Sequence, residues 1–124
     1  MKSKKNNKNS RVFCHVQSTI YVIGGKWKTE IIWHLLGGTK RPSELRRLIP
    51  KISERVLIDR LRELESDNIL ERIVYQQIPP KVEYSLTDYG KTLEPVLKAM
   101  EKWGAHHAYV AGIESAQSEH DLLP

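Results

Sequence analysis

A mainly helical α+β fold is predicted by three features of this chain. Apolar residues recur at helical spacing in several stretches, among them Val16, Ile20 and Ile23, then Trp27, Ile31 and Leu35, then Leu57, Leu61 and Leu64. Paired glycines and scattered prolines punctuate those stretches, so the helices must be short and joined by tight turns. Near the middle the period changes to two in Val82-Glu83-Tyr84-Ser85-Leu86, which follows a β-branched run at 69–76 and predicts a hairpin.

Each element follows from local chemistry. The first helix carries Val16, Ile20 and Ile23 and stops at Gly24-Gly25. A second spans about 27–36, with Ile32 and Leu36 beside its main stripe, and ends at Gly37-Gly38. Thr39-Lys40-Arg41 has room only for a minimal strand. Pro42 suits the first turn of a third helix over 43–48, with Leu45 and Leu48 on one face, and Ile49-Pro50-Lys51 breaks it. Ser53 supplies an N-cap for a fourth helix running to about Asp67, and Asn68 then fits a left-handed position. Strands at 69–76 and 82–86 enclose the stiff loop Ile78-Pro79-Pro80-Lys81, with Lys81 at its tip. Thr87 caps a last helix over 88–111, which Pro95 must kink or divide. Residues 1–11 read as a disordered basic arm, 12–111 as one folded domain and 112–124 as a flexible tail. Two short helices across a tight turn, followed by a hairpin, describe a winged helix-turn-helix with further helices at both ends.

Composition narrows the class. With 124 residues, 40% of them hydrophobic, the chain is one domain's worth and is not wholly disordered. No apolar run is long enough to span a bilayer, and no apolar leader follows the polar first residues. A single cysteine forbids an intrachain disulfide, and a soluble cytoplasmic protein is expected. The net charge of +5 is segregated along the chain. Residues 1–11 carry +5, residues 26–62 carry +6 and residues 63–124 carry −6. A basic front half suggests a surface for a polyanion, although charge alone only slightly favours nucleic acid.

The fourth helix offers the reading surface. Taking Leu57 as zero and about 100° per residue, Leu61 and Leu64 fall within about 40° of it and define a core stripe. Arg55, Asp59 and Arg62 then point the other way, with Ile58 on the flank. Arginine makes a bidentate contact to guanine, aspartate accepts from cytosine N4, and isoleucine presses on a thymine methyl. Any solvated amphipathic helix shows outward charge; its place after a turn and before a hairpin favours the reading role. Arg46, Arg47 and Lys51 flank this helix and suit phosphates, as does Lys81 on the loop.

The ordered run Cys14, Ile23-Gly24-Gly25-Lys26-Trp27, Ser43-Glu44-Leu45-Arg46-Arg47, Ile52-Ser53, Leu57-Ile58-Asp59-Arg60-Leu61-Arg62-Glu63-Leu64-Glu65, Pro79-Pro80-Lys81-Val82-Glu83-Tyr84-Ser85-Leu86-Thr87, Gly90 and Trp103 resembles the HxlR-type family of bacterial transcription regulators, relatives of the MarR-type proteins. The resemblance covers about residues 14–104. It implies a dimeric winged-helix DNA-binding protein in which Ser53, Arg55, Ile58, Asp59 and Arg62 face double-stranded DNA, Lys81 lies on the wing, and the first and last helices form a two-fold dimer. Three positions depart from the family pattern. His15 stands where proline is usual, Ile58-Asp59 where a Thr-Gln pair is expected, and Asn68 where glycine is usual. The second departure bears on operator sequence; the third is tolerated because asparagine enters the left-handed region.

Dimerisation also follows from the residues. Leu93, Val96, Leu97, Met100, Trp103 and Val110 give the last helix more apolar face than a small domain covers, unless it folds back over its own hairpin. Val16, Ile20 and Ile23 of the first helix join Val96, Leu97, Met100, Trp103 and Val110 in the expected homodimer interface. Two reading helices about 34 Å apart would then match an inverted repeat.

Cys14 is a candidate thiol sensor, because some members of the resembling family sense oxidants or electrophiles at this position. With one cysteine the chemistry is a Cys14–Cys14 bridge across the dimer or an adduct with a small thiol or electrophile. A small hydrophobe packed in the interface is an equal reading. His34 reads as a packed histidine, and His106-His107 lacks the spacing of a metal site. No nucleophile–base pair, metal cluster or phosphate loop stands out, so neither an enzyme nor a cofactor is expected. The expected function is a DNA-binding repressor responding to a small-molecule or electrophile inducer. The rival is a winged-helix module that binds protein or structured RNA.

Overall fold

A computed structural model describes residues 8–113, with side chains from Cys14 onward. The order is α1 (Lys8–Ile23), α2 (Lys28–Leu35), α3 (Pro42–Leu48), α4 (Glu54–Ser66), β1 (Leu70–Tyr75), β2 (Lys81–Leu86), α5 (Asp88–Lys91) and α6 (Glu94–Ala111). This is the expected winged helix-turn-helix, in which α3 and α4 make the helix-turn-helix and β1–β2 the wing. Of the basic arm expected at 1–11, residues 1–7 lie outside the described residues and Lys8–Arg11 begin α1. The tail expected at 112–124 lies outside them from 114 onward.

The core is built from the leucine stripe. Leu57, Leu61 and Leu64 of α4 are fully buried against Ile31 and Ile32 of α2, Leu45 of α3, and Ile49 and Ile52 of the turn. Burying each such side chain contributes about 1.5–3 kcal/mol, which locks the outward face of α4 in place. Ser53 caps α4, its Oγ accepting from Val56 N–H at 3.2 Å. Asn68 closes the helix at φ 65°, in the left-handed conformation the sequence suggested. Pro42 opens α3, where Glu44 Oε1 accepts from Arg41 N–H at 2.8 Å. That bond holds the Glu44 carboxyl below its usual range.

The strands pair antiparallel from Leu70↔Leu86 to Tyr75↔Lys81. The minimal strand expected at 39–41 is one bridge, Lys40↔Tyr84, whose two backbone hydrogen bonds measure 3.0 and 2.8 Å. It ties the start of α3 to the wing. The last helix is divided, as Pro95 required. Thr92 N–H donates to Tyr89 C=O and Leu93 N–H to Gly90 C=O, a tighter turn from which Pro95 starts α6.

Gly90 explains its place in the motif. Ile69 C=O accepts from Thr87 N–H at 3.0 Å, and Thr87 Oγ1 accepts from Gly90 N–H at 2.8 Å, drawing α5 onto the start of β1. A Cβ at Gly90 would collide with the Ile69 carbonyl oxygen. Gly90→Ala is therefore expected to cost about 1–3 kcal/mol, visible as a drop of several degrees in Tm. An unchanged Tm would contradict this packing.

Two expectations about the dimer interface are corrected. Ile23 and Leu97, both expected in a dimer interface, are buried in the chain's own core. The last turn of α1 and the first turns of α6 are where those helices join the domain, so these two side chains face inward. Val16, Ile20, Val96, Met100, Trp103 and Val110 remain exposed. No helix among the described residues is long and apolar enough to cross a membrane.

Candidate DNA-binding face

Behind the buried stripe of α4, the opposite face is open. Arg55, Asp59 and Arg62 are exposed at spacings of four and three, so they share one side of the helix. Ile58 is half-buried and packs against the edge of the core. Ser53 sits at the exposed N-terminus of α4 with its hydroxyl oxygen used in the cap, which leaves the O–H to donate. Arg60, on the flank, is held to the body by Glu63 at 2.7 Å, and Glu63 also meets Lys28 at 3.2 Å. Those partners hold the Glu63 carboxyl below its ordinary range, the Arg60 hydrogen bond most of all. The helix thus separates arginines that brace it from arginines that project.

Arg46 and Arg47 in the last turn of α3, and Lys51 in the turn after it, are all exposed. Arg46 is 3.9 Å from Glu54, a solvent-exposed pair too weak to hold it against a phosphate. Together with Arg55 they surround the helix-turn-helix corner with positive charge.

Between α4 and the wing lies a cleft of about 530 Å³, lined by Pro42, Ile58, Arg62, Arg72, Val82 and Tyr84 among others. The Tyr84 phenol is buried at its floor. Its pKa is raised by burial first and by Glu65, against the opposing pull of Arg72 and Arg62. Arg72 is a basic residue of this face that sequence reasoning missed. Pairing opposite Tyr84, it shares the strand face that looks toward α4. The register of the hairpin was the signal that would have found it.

Lys81 is placed differently from the expectation. It is the first residue of β2, at the foot of the loop rather than its tip, because residues 76–80 form the connection. By strand alternation it shares a face with Tyr75 and Glu83, away from the cleft. Its Nζ is 3.5 Å from Glu83 Oε2 and lies over the Tyr75 ring at 4.7 Å. Tyr75 O–H donates to Glu83 Oε1 at 2.9 Å, which raises the phenol's pKa. Lys81 braces the wing.

Elsewhere, Cys14 is exposed on α1. Trp103 stacks on His107 with ring centroids 5.2 Å apart, on the open side of α6. His34 is half-buried, and burial together with Lys40 holds its pKa below the usual value.

The pattern is matched by a family model, described as HxlR-like helix-turn-helix, over residues 22–111. The chain belongs to that family. It is 49% identical over 111 residues to the HTH-type transcriptional regulator YdeP of Bacillus subtilis strain 168, covering 89% of this chain and 87% of YdeP. Among solved structures it is similar to the redox regulator HypR in its reduced form, with TM-score 0.76, 50% identity, and coverage of 78% of this chain and 96% of HypR. The oxidized form of HypR also matches, with TM-score 0.71 and 48% identity over 85% of this chain and 99% of that one. The reduced form of the regulator YodB from B. subtilis matches with TM-score 0.65 and 40% identity, covering 70% of this chain and 85% of YodB. A HxlR-type chain with this fold is a helix-turn-helix transcriptional regulator.

Proposed function

We propose that this regulator is a homodimeric, cytoplasmic repressor that binds an inverted-repeat operator through α4 and answers oxidants or electrophiles through Cys14. The observation that carries the DNA reading is the two-sided α4. A wholly buried leucine stripe fixes the helix, while Arg55, Asp59 and Arg62 stand in solvent beside the wing. Arg46, Arg47, Lys51 and Arg72 supply phosphate contacts, which set register and orientation. Arg55 and Arg62 read guanine, Asp59 accepts from cytosine, and Ser53 and Ile58 contact the base edges near them. The exposed apolar side chains on α1 and α6 form the dimer and hold two α4 helices about 34 Å apart.

The redox reading rests on the exposed thiol of Cys14 and on the likeness to HypR, a redox regulator, and to YodB, which was solved reduced and after diamide treatment. Diamide takes two hydrogens from two Cys14 thiols and leaves one Cys14–Cys14 disulfide across the dimer. An electrophile instead adds to a single thiolate. Either change at α1 alters the spacing of the two reading helices.

The test is a binding titration against duplexes recovered by random-sequence selection, with reduced and diamide-treated protein. Tight, salt-sensitive binding to an inverted repeat is expected, weakened by diamide in the wild type and not in Cys14→Ser. Non-reducing gels separate a covalent dimer from an adduct. Binding that ignores diamide would remove Cys14 from the mechanism, and failure to recover any duplex would refute the DNA reading in favour of a protein or RNA partner.

A further inference from the structure

The tip of the wing carries an apolar side chain that serves nothing inside the molecule. Ile78 is 99% exposed, in the loop Gln76-Gln77-Ile78-Pro79-Pro80, and every residue of that loop is exposed. The loop contains no charged residue. The nearest cation, Lys81, is held at its foot by Glu83 and Tyr75. A wing that recognised a groove electrostatically would carry arginine or lysine at its tip, where it could seek the negative potential of a narrow minor groove. This one presents an isoleucine, whose apolar surface goes unburied in the unbound protein.

The hairpin that carries this side chain lies against the reading helix. Arg72, Val82 and Tyr84 of the same hairpin close the cleft against Ile58 and Arg62 of α4, so the wing stands beside the reading helix. We propose that Ile78, stiffened by Pro79-Pro80, is an apolar wedge that enters the minor groove at a base step flanking the α4 contacts. This rests on the operator-binding reading above. Apolar wedges of this size part adjacent base pairs and kink the duplex, at a cost lowest for flexible pyrimidine–purine steps. Specificity then arises at a step that no charged side chain touches. The Gln76 and Gln77 amides, exposed on the same loop, donate to the adenine N3 and thymine O2 acceptors that line the groove. Because the tip is uncharged, its contribution to affinity does not depend on salt, unlike that of the α4 corner.

The experiment uses the full chain and a duplex from the random-sequence selection, with 2-aminopurine placed in turn at each step flanking the protected core. Wild-type protein is expected to brighten the fluorophore at one pyrimidine–purine step on each side, which reports unstacking. Ile78→Ala is expected to abolish the brightening and to weaken binding roughly tenfold, with the salt slope unchanged. Ile78→Lys adds a phosphate-seeking charge and is expected to raise the salt slope by about one without restoring the brightening. Wild-type protein that binds without brightening any flanking step overturns the wedge and leaves the operator reading standing. So does Ile78→Ala that matches wild type in affinity and fluorescence, a result that would turn the exposed tip over to a protein partner. A wild-type chain that binds no duplex overturns both readings.

Discussion

Replacing Arg55 and Arg62 together with alanine is expected to weaken binding to the selected duplex at least about a hundredfold while leaving Tm within a degree or two. Both side chains are exposed on the same side of α4, and the core residues that hold the helix lie behind them. A bidentate arginine–guanine contact discriminates by about 1–3 kcal/mol, so losing two at each of the two half-sites costs about 4–12 kcal/mol, and a hundredfold is a floor to that range. Arg60→Ala is the internal control. That arginine lies on the flank with Nη1–H donated to Glu63 at 2.7 Å, so its loss should leave affinity within about threefold. A second control separates charge from geometry. Arg55→Lys with Arg62→Lys keeps the phosphate attraction and the salt slope but loses the planar fork, so non-specific binding survives while discrimination between sequences falls. If the double alanine variant binds within threefold of wild type, α4 is not the reading element.

Much of this face could be read from residue order because its determinants are local. Leu57, Leu61 and Leu64 lie on one side of any α-helix, and their burial leaves Arg55, Asp59 and Arg62 no other place to be. Ser53, Asn68 and Pro95 acted through backbone chemistry that one residue carries by itself, as a cap, a left-handed stop and a helix break. What escaped depended on elements distant in sequence. Arg72 joins the cleft only once β1 is paired with β2 and the hairpin is laid against α4. Pro79-Pro80 marks the turn and so suggests Lys81 at a loop tip, but the connection occupies residues 76–80 and the lysine falls on the first rung of β2. An apolar stripe likewise does not say which of its members faces the chain's own core. Ile23 and Leu97 look like their neighbours in the sequence and differ only in being where α1 and α6 meet the domain. Trp27 adopts φ 88° directly after the glycine pair, a conformation that costs a non-glycine residue about 1–3 kcal/mol and that nothing in its neighbours announced.

That distinction between inward and outward members of one stripe makes the second large effect specific. Met100→Glu combined with Trp103→Glu is expected to convert a dimer to a single chain of 14.4 kDa by light scattering, and to reduce operator affinity by about 10²–10⁴. Trp103 is 66% exposed and Met100 is likewise open, so charge at these positions disturbs little inside one chain. Buried in a two-fold interface, each carboxylate would lie unpaired near its symmetry mate, and the apolar contact that opposes that cost would be gone. Trp103 is also pre-ordered by its stack on His107, which lowers the entropy lost when the ring is buried against a partner. The affinity loss follows from linkage. In the proposed dimer, docking one α4 presents the second to its half-site as an intramolecular partner; separate chains must bind each half-site independently. The monomeric variant should therefore still bind a single half-site as weakly as wild type does, which shows that α4 itself is intact. Leu97→Ala tests the inward member of the same helix and should behave in the opposite way. It is expected to lower Tm through a cavity costing about 2–5 kcal/mol while leaving the folded protein's mass in solution unchanged. A glutamate pair that leaves the mass unaltered would place the two-fold contact elsewhere, and the exposed side of α6 would then need a different partner.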